Sequence, residues 1–300
     1  MNKIKKILIV SRAIYGSRKL IKNLYSSLYQ YLILRKQNIE LKLRNGETIT
    51  ISRFLYPRII YYSKYIENIT KDGIYFKINN KTFQVPLKEI ENVGISITIK
   101  LLKSGWLYYK NYWEKNGVKF KHLYNAINET FEEKQWDFLN VQNKSVLDIG
   151  AFVGDSPIYF ILKGAKKVYA IEPHPDVYKE MIENIKLNNM EDKIIPINMG
   201  ISYEKDYVSI NIVDINHVGG SFFNSNNTGI KVPASKLSDI IDKYNINAQI
   251  LKMDCEGCEY DIILKDYDTI KDFDEIGFEY HAYNTNIPVN KLIEKLNKDF

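Results

Sequence analysis

From residue 144 onward the chain alternates short apolar runs with helical segments, and that alternation limits it to few folds. SVLDIG (145–150) is a continuous buried-strand run, PIYFILKGA (157–165) a helix, KVYAIEP (167–173) a second strand and PDVYKEMIENIKLNN (175–189) a second helix. IIPINMGIS (194–202), KLSDIIDKY (236–244), QILKMD (249–254), YDIILKDYDTI (260–270) and EIGFEYH (275–281) continue as strand, helix, strand, helix, strand, with YVSINIV (207–213) as an inserted hairpin. Parallel strands need long crossovers, and right-handed helical crossovers cover both faces of one sheet. The predicted class is α/β, a doubly wound and mostly parallel sheet.

The residues before this region read differently. Ile14 to Leu34 places Leu20, Ile21, Leu24, Tyr25, Leu28, Tyr31 and Leu32 at helical spacing, which predicts one amphipathic helix. IELKLRNGETITIS (39–52) alternates about Asn45-Gly46, and GIYFKINNKTFQV (73–85) about Asn79-Asn80, so both read as hairpins. Residues 95–140 show no clear period and are expected to be mainly helical. Charge separates the two halves: residues 1–140 carry 25 Lys/Arg against 11 Asp/Glu (+14), residues 141–300 carry 17 against 25 (−8). The expected division is an α+β accessory region over 1–140 and a ligand-binding domain over 141–300. A basic, aromatic-bearing helix also suits peripheral contact with a membrane surface, and homo-oligomerisation is the competing use of its apolar face.

No apolar run reaches the length of a membrane span, and the start MNKIKKILIV has too short an apolar stretch for a signal peptide. The chain has two cysteines, too few for a secreted disulfide framework, so a cytoplasmic location, with membrane association through the first helix as a variant, is expected. Those cysteines, in LKMDCEGCEYDII (251–263), form a C-x-x-C, and with no second pair a four-cysteine zinc site within one chain is excluded.

The chemistry concentrates at the ends of predicted strands. LDIGAFVGDS (147–156) joins the first strand to the first helix: Gly150 and Gly154 permit a tight turn, and the following helix offers free N–H groups to an anion. Asp148 ends the first strand, and Glu172 ends the second, where an acid can take both hydroxyls of a ribose. With Ala151, Asp155 and Pro173 on the same two loops, these are the expected cofactor contacts. A dinucleotide fingerprint would put a second glycine where Phe152 stands, which disfavours a nicotinamide cofactor. S-adenosylmethionine, with a cationic amino group and no pyrophosphate, fits an acid two residues before Gly150 better.

At these residues the chain resembles the FkbM family of S-adenosylmethionine-dependent methyltransferases, over roughly residues 125–300. The resemblance is carried by VLDIGAFVGDS (146–156), GAKKVYAIEP (164–173), KLSDIIDKY (236–244), LKMDCEGCEYDIIL (251–264) and FEYH (278–281). Lys252, Asp254, Glu256, Gly257 and Glu259 match the family's pattern, and Cys255 and Cys258 fill positions that are small and apolar in it, which makes the cysteines fillers. The family implies a Rossmann-like, class I methyltransferase sheet of seven strands. Its last two strands, a hairpin that would follow PVNKLIEKLNKDF (288–300), would begin where this sequence stops, so a truncated sequence, or a sheet edge covered by N-terminal strands or another subunit, is expected.

Ligands of such sheets lie beyond the carboxyl ends of the strands. Asp254 ends the fourth strand, and Glu279 and His281 the fifth, so these three are the predicted catalytic residues. An acceptor hydroxyl must lose its proton as it attacks the methyl carbon, and His281 or Asp254 is the expected base. The spacing demands no metal, so no metal ligand is assigned; Mg2+ held by Asp254, Glu279 and His281 is the alternative arrangement. Glu259 is expected to be structural, His174 to line the cofactor pocket or lie in a loop, His122 to be unrelated, and NHVGGSFF (216–223), with His217, to form a lid.

The reading is therefore an S-adenosylmethionine-dependent O-methyltransferase acting on a sugar, glycan or other hydroxylated small molecule, with nucleic acid disfavoured by the lack of any motif for it. Its competitors are an NAD-dependent oxidoreductase and a non-catalytic protein that binds through its basic N-terminal region.

Overall fold

A computed structural model describes residues 11–210 and 229–300. They fall into two compact units, Met1–Asn125 and Ala126–Phe300. Residues 126–140 thus belong with the sheet domain, and not with an accessory region reaching to 140.

In the first unit both expected hairpins form. Strands Asn38–Lys42 and Thr48–Ser52 pair antiparallel around Asn45-Gly46, with Gly46 at φ 95°. Strands Gly73–Ile78 and Lys81–Val85 turn through Asn79 and Asn80, both at positive φ, the geometry that fits the twist of a two-residue hairpin. Ile66–Thr70 adds a third strand.

Two readings of this unit are corrected. The stretch expected as one helix from Ile14 to Leu34 is interrupted over 18–23, because Ile21 bridges to Leu43 and the Lys22 and Arg44 amides bond the Lys42 and Leu20 carbonyls. Backbone pairing to the first hairpin outweighs helical periodicity there, and the helix resumes at Leu24–Leu32. Residues 107–120, expected as helix, form a three-stranded meander, Leu107–Tyr109, Tyr112–Lys115 and Val118–Phe120. Its turns place Lys110-Asn111 and Asn116-Gly117 at positive φ, and Trp106, Trp113 and Phe120 are fully buried beneath it. No described helix is long and apolar enough to cross a membrane.

The second unit carries the parallel sheet. Its elements are α1 (Asn125–Phe131), β1 (Ser145–Ile149), α2 (Asp155–Leu162), β2 (Lys167–Ile171), α3 (Pro175–Leu187), β3 (Ile194–Ile197), β4 (Gly200–Ile201), β5 (Tyr207–Ile210), β6 (Ile230–Ser235), α4 (Leu237–Tyr244), β7 (Ile250–Met253), α5 (Cys258–Lys265), α6 (Tyr267–Ile270), β8 (Glu275–Phe278), α7 (Ala282–Thr285) and α8 (Asn290–Leu296). The main sheet has the order β3-β2-β1-β7-β8, all parallel. It is the doubly wound α/β fold read from the sequence. Strand β7 is buried along its whole length, and Leu147, Ile149, Leu251 and Met253 pack with Leu237, Ile240, Ile262 and Ile263 in one core. Each such side chain taken out of water contributes roughly 1.5–3 kcal/mol.

Two elements are shorter than their sequence runs. The 194–202 run breaks at Asn198, whose side-chain amide donates to the Glu172 and Pro173 carbonyls, and β4 leaves to pair with β6. The 260–270 helix breaks at Asp266, whose carboxylate accepts from the Thr269 hydroxyl at 2.5 Å and the Tyr203 hydroxyl at 2.8 Å. The expected loop 216–223 with His217 lies outside the described residues.

Candidate active site

The strand order reverses between β1 and β7, and their carboxyl ends meet. Met253 is in register with Ile149, and the Asp254 amide donates to the Ile149 carbonyl at 2.9 Å. A Cβ on Gly150 (φ 79°) would lie 1.8 Å from the Asp254 carbonyl oxygen. The glycine is therefore required first by this strand-to-strand approach, and any service to a ligand comes after. Gly154, at φ 88°, caps α2, and its amide bonds the Ala151 carbonyl; Ala151 is buried.

Lys252 and Asp148 form the floor of the site. The Lys252 ammonium, 2% exposed, lies 2.9 Å from Asp148 Oδ1 and donates to the Gly150 carbonyl at 2.8 Å. Asp148 Oδ2 accepts from the Ser156 hydroxyl at 2.6 Å. Burial alone would lower the lysine's pKa, but the Asp148 and Asp254 carboxylates raise it; burial raises the pKa of Asp148 against the opposing pull of Lys252 and Ser156. Asp148 is wholly buried and lies beneath the cleft, where it holds Lys252 and the glycine loop in place.

Above that floor is a small cleft lined by Gly150, Phe152, Asp155, Ser156, Lys252 and Asp254 together with Ala126, Glu129, Thr130, Gln135 and Trp136. Asp155 is buried and accepts from the Thr130 hydroxyl at 2.7 Å; desolvation pushes its pKa up to about 6. Three acids, Glu129, Asp155 and Asp254, thus face a space that a cation would occupy favourably. S-adenosylmethionine has two cationic centres, an ammonium and a sulfonium, and this donor set fits it. A pyrophosphate would meet the same acids unfavourably.

Glu172, at the end of β2, is 4% exposed and accepts from the Phe152 amide at 3.0 Å and the His174 amide at 2.8 Å. Phe152 reaches it through a backbone at φ 46°, uncommon for a bulky residue. Desolvation raises the Glu172 pKa to about 8 despite these two donors. Pro173 accepts from Asn198 through its carbonyl, and the His174 ring caps α3, accepting from the Asp176 and Val177 amides. His122 bonds Glu89 in the first unit.

The three residues expected to act on the acceptor come together. Register pairing of Met253 with Phe278 carries Asp254 and Glu279 to neighbouring strand ends, and the Glu279 amide bonds the Met253 carbonyl. His281 Nε2 lies 3.8 Å from Asp254 Oδ1, 3.8 Å from Glu256 Oε2 and 3.9 Å from Glu279 Oε1. Its Nδ1 bonds Glu259 Oε1 at 2.8 Å, and that fully buried carboxylate also accepts from the His281 and Gly257 amides. Burial disfavours the imidazolium, but the bond to Glu259 and the charges of Glu256, Glu259 and Asp254 outweigh it and raise the pKa to about 9. His281 therefore holds a proton near neutral pH in this arrangement. Glu259 is structural, as the sequence suggests, and what it holds is the histidine. Cys255 and Cys258 are joined in a disulfide across the Glu256 loop, which corrects their reading as free apolar fillers.

The residues the sequence did not single out are Glu129, Thr130, Gln135 and Trp136. They precede the first strand and carry no motif, and only a fold that returns α1 and its following loop over the strand ends reveals them. Gln135 also donates to Glu279 at 2.7 Å, which ties this wall to the histidine cluster.

Comparison with known proteins agrees with the geometry. Residues 148–296 match the sequence family described as the methyltransferase FkbM domain. Among curated proteins, tRNA (guanine(37)-N(1))-methyltransferase Trm5b of Methanocaldococcus jannaschii is 46% identical over 55 residues, 18% of this chain and 16% of that protein. A tRNA(Phe) (4-demethylwyosine(37)-C(7)) aminocarboxypropyltransferase of Pyrococcus horikoshii is 36% identical over 69 residues, 23% of this chain and 24% of that one. The chain thus spans under a quarter of either relative. The solved structure of M. jannaschii TYW2 in complex with AdoMet is 33% identical, covers 31% of this chain and 45% of its own, and has a TM-score of 0.25.

Proposed function

Residues 148–296 belong to the FkbM family of S-adenosylmethionine-dependent methyltransferases, and from that premise we propose that the protein transfers a methyl group from S-adenosylmethionine to a hydroxyl of an uncharged, polyhydroxylated acceptor such as a sugar or glycan. The observation that carries this reading is the acid-lined cleft at the switch in strand order, opening beside the Asp254–Glu279–His281 cluster. Bound there, the cofactor supplies an activated methyl group on a sulfonium. Glu172, at the end of β2 and outside the lining of the cleft, would accept hydroxyl hydrogen bonds from the sugar of the cofactor, and Asp155 and Glu129 would favour its cationic end. Asp254, which lines the cleft, takes the acceptor's proton as its oxygen attacks. The protonated His281 ring and Glu279 orient the hydroxyl, and Glu259 fixes the ring.

An acidic cluster at the methyl end suits a neutral acceptor and repels a polyanion. A tRNA acceptor is the second reading; the +14 charge of residues 1–140 and the names of the two curated relatives favour it. The experiment uses methyl-labelled S-adenosylmethionine with fractionated extract, a panel of sugars and total tRNA as separate arms. Label in a base-stable methyl ether, lost in Asp254→Asn, is expected. Label in tRNA alone would replace the acceptor, and no cofactor binding by the wild type would overturn the function.

A further inference from the structure

We propose that Asp254, Glu279 and His281, with the Glu256 carboxylate beside the histidine, form a binding site for one divalent transition-metal ion of the Mn2+, Fe2+ or Zn2+ class. The ion would replace the Nε2 proton of His281; its use in methyl transfer rests on the function proposed above, and its binding does not.

His281 Nε2 stands 3.8, 3.8 and 3.9 Å from one oxygen each of Asp254, Glu256 and Glu279, beyond hydrogen-bond length. One ligand atom each from Asp254, Glu279 and His281 lie within 4.8 Å of one another. Donors about 2.1 Å from a shared ion are separated by roughly 3.0 Å in an octahedral cis pair and about 3.4 Å in a tetrahedron. The Nε2 gaps exceed these separations by about 0.4–0.9 Å, and the widest pair in the cluster by up to about 1.8 Å, a difference that rotation of the part-exposed Asp254 and Glu279 side chains closes.

Glu259, fully buried, accepts from Nδ1 of His281 at 2.8 Å and is itself held by the Gly257 amide at 2.9 Å. A carboxylate on Nδ1 keeps a proton on that nitrogen and aims Nε2 at the three carboxylates, the outer arrangement found behind metal-binding histidines. Glu256 is delivered by a left-handed backbone (φ 59°) inside the loop closed by the Cys255–Cys258 disulfide.

Charge and donor type select the ion. Three carboxylates converge on one imidazole, and a dication lowers their mutual repulsion more than a single proton does. Mg2+ favours oxygen and water ligands, whereas an imidazole among carboxylates suits Mn2+, Fe2+ or Zn2+. The side chains of Asp254 and Glu279 are 31% and 47% exposed, so an ion there would keep open positions toward the acceptor side.

The test titrates chelator-stripped full-length protein with MnCl2, ZnCl2 and MgCl2 by calorimetry, with electron paramagnetic resonance of Mn2+. It is run without reductant, so that the disulfide leaves Cys255 and Cys258 no thiolate to offer. One Mn2+ or Zn2+ per chain is expected, with Mg2+ at least about 100-fold weaker. Glu279→Gln, half-exposed and safe for folding, and His281→Gln should each weaken Mn2+ by about tenfold or more, and Glu259→Gln by about 10–100-fold, with unchanged circular dichroism. No saturable Mn2+ or Zn2+ binding below millimolar concentration, or equal binding by Glu279→Gln and His281→Gln, would overturn the site. S-adenosylmethionine binding by the stripped protein is measured in parallel: if it persists while metal binding fails, the site falls and the proposed function stands.

Discussion

Glu172→Gln separates what the cofactor site needs from what the fold needs. Free in water a glutamate ionises near 4.5, whereas in the folded protein desolvation moves Glu172 to about 8. Between these values the folded state binds more protons than the unfolded state, so stability falls as pH rises through the window and levels off above 8. The loss is about 3 kcal/mol at pH 7 and about 5 kcal/mol at pH 9, from 1.36 kcal/mol per unit. Glutamine removes this term but has one acceptor oxygen for two amides, those of Phe152 and His174, and leaves one of them facing an NH2 group. That defect costs about 1–3 kcal/mol at every pH. The variant should therefore be less stable than wild type at pH 5 and more stable at pH 9, by about 2–4 kcal/mol. Urea denaturation followed by circular dichroism at pH 5, 7 and 9 measures it. A stability difference that stays constant across that range would refute the assignment of the burial penalty to Glu172. The same change should weaken S-adenosylmethionine by about 10–150-fold, the loss of a hydrogen bond to a charged group. Wild-type affinity should rise with pH up to about 8, as the ligand selects the ionised carboxylate.

Other changes test the frame around the site. Asp148→Asn or Lys252→Met breaks a buried ion pair and should cost about 3–5 kcal/mol, while the double variant should lose less than the sum; additive losses in a denaturation cycle would show that the pair is not coupled. Gly150→Ala forces a Cβ to within 1.8 Å of the Asp254 carbonyl and should lose more than about 3 kcal/mol, whereas Gly46→Ala, at φ 95° with open space around it, should lose only about 1–2 kcal/mol. Equal losses at the two positions would leave only backbone strain. Alkylation of unfolded, unreduced protein should label neither cysteine, and prior reduction should expose both to mass spectrometry; labelling before reduction would contradict the disulfide.

How far the sequence was readable depended on whether local and long-range forces agreed. In β1, β2 and β7 they did: continuous apolar runs bounded by glycine and acid can only be central parallel strands, so the order of the domain and Asp148, Gly150, Glu172 and Asp254 were legible. At Leu20–Asn23 they did not, since helical periodicity lost to main-chain bonds with a hairpin some twenty residues away. In 107–120 the strands are three or four residues long, too short for alternation to register, and the informative signal was the pair of turns, of which only Asn116-Gly117 has a conventional composition.

The site shows the same limit in chemical form. A strand-end histidine at 281 reads naturally as a base, because its ordinary pKa lies near neutrality. What reverses that reading is Glu259, more than twenty residues earlier and fully buried, which no periodicity aims at Nδ1. Once the two are in contact, the imidazole ceases to be a free base near neutral pH and becomes either a fixed cation among carboxylates or a ligand with its lone pair turned on them. The identity of a catalytic group can be read along the chain, but its protonation state belongs to the packing around it. For this site, Glu259 is the residue on which that distinction turns.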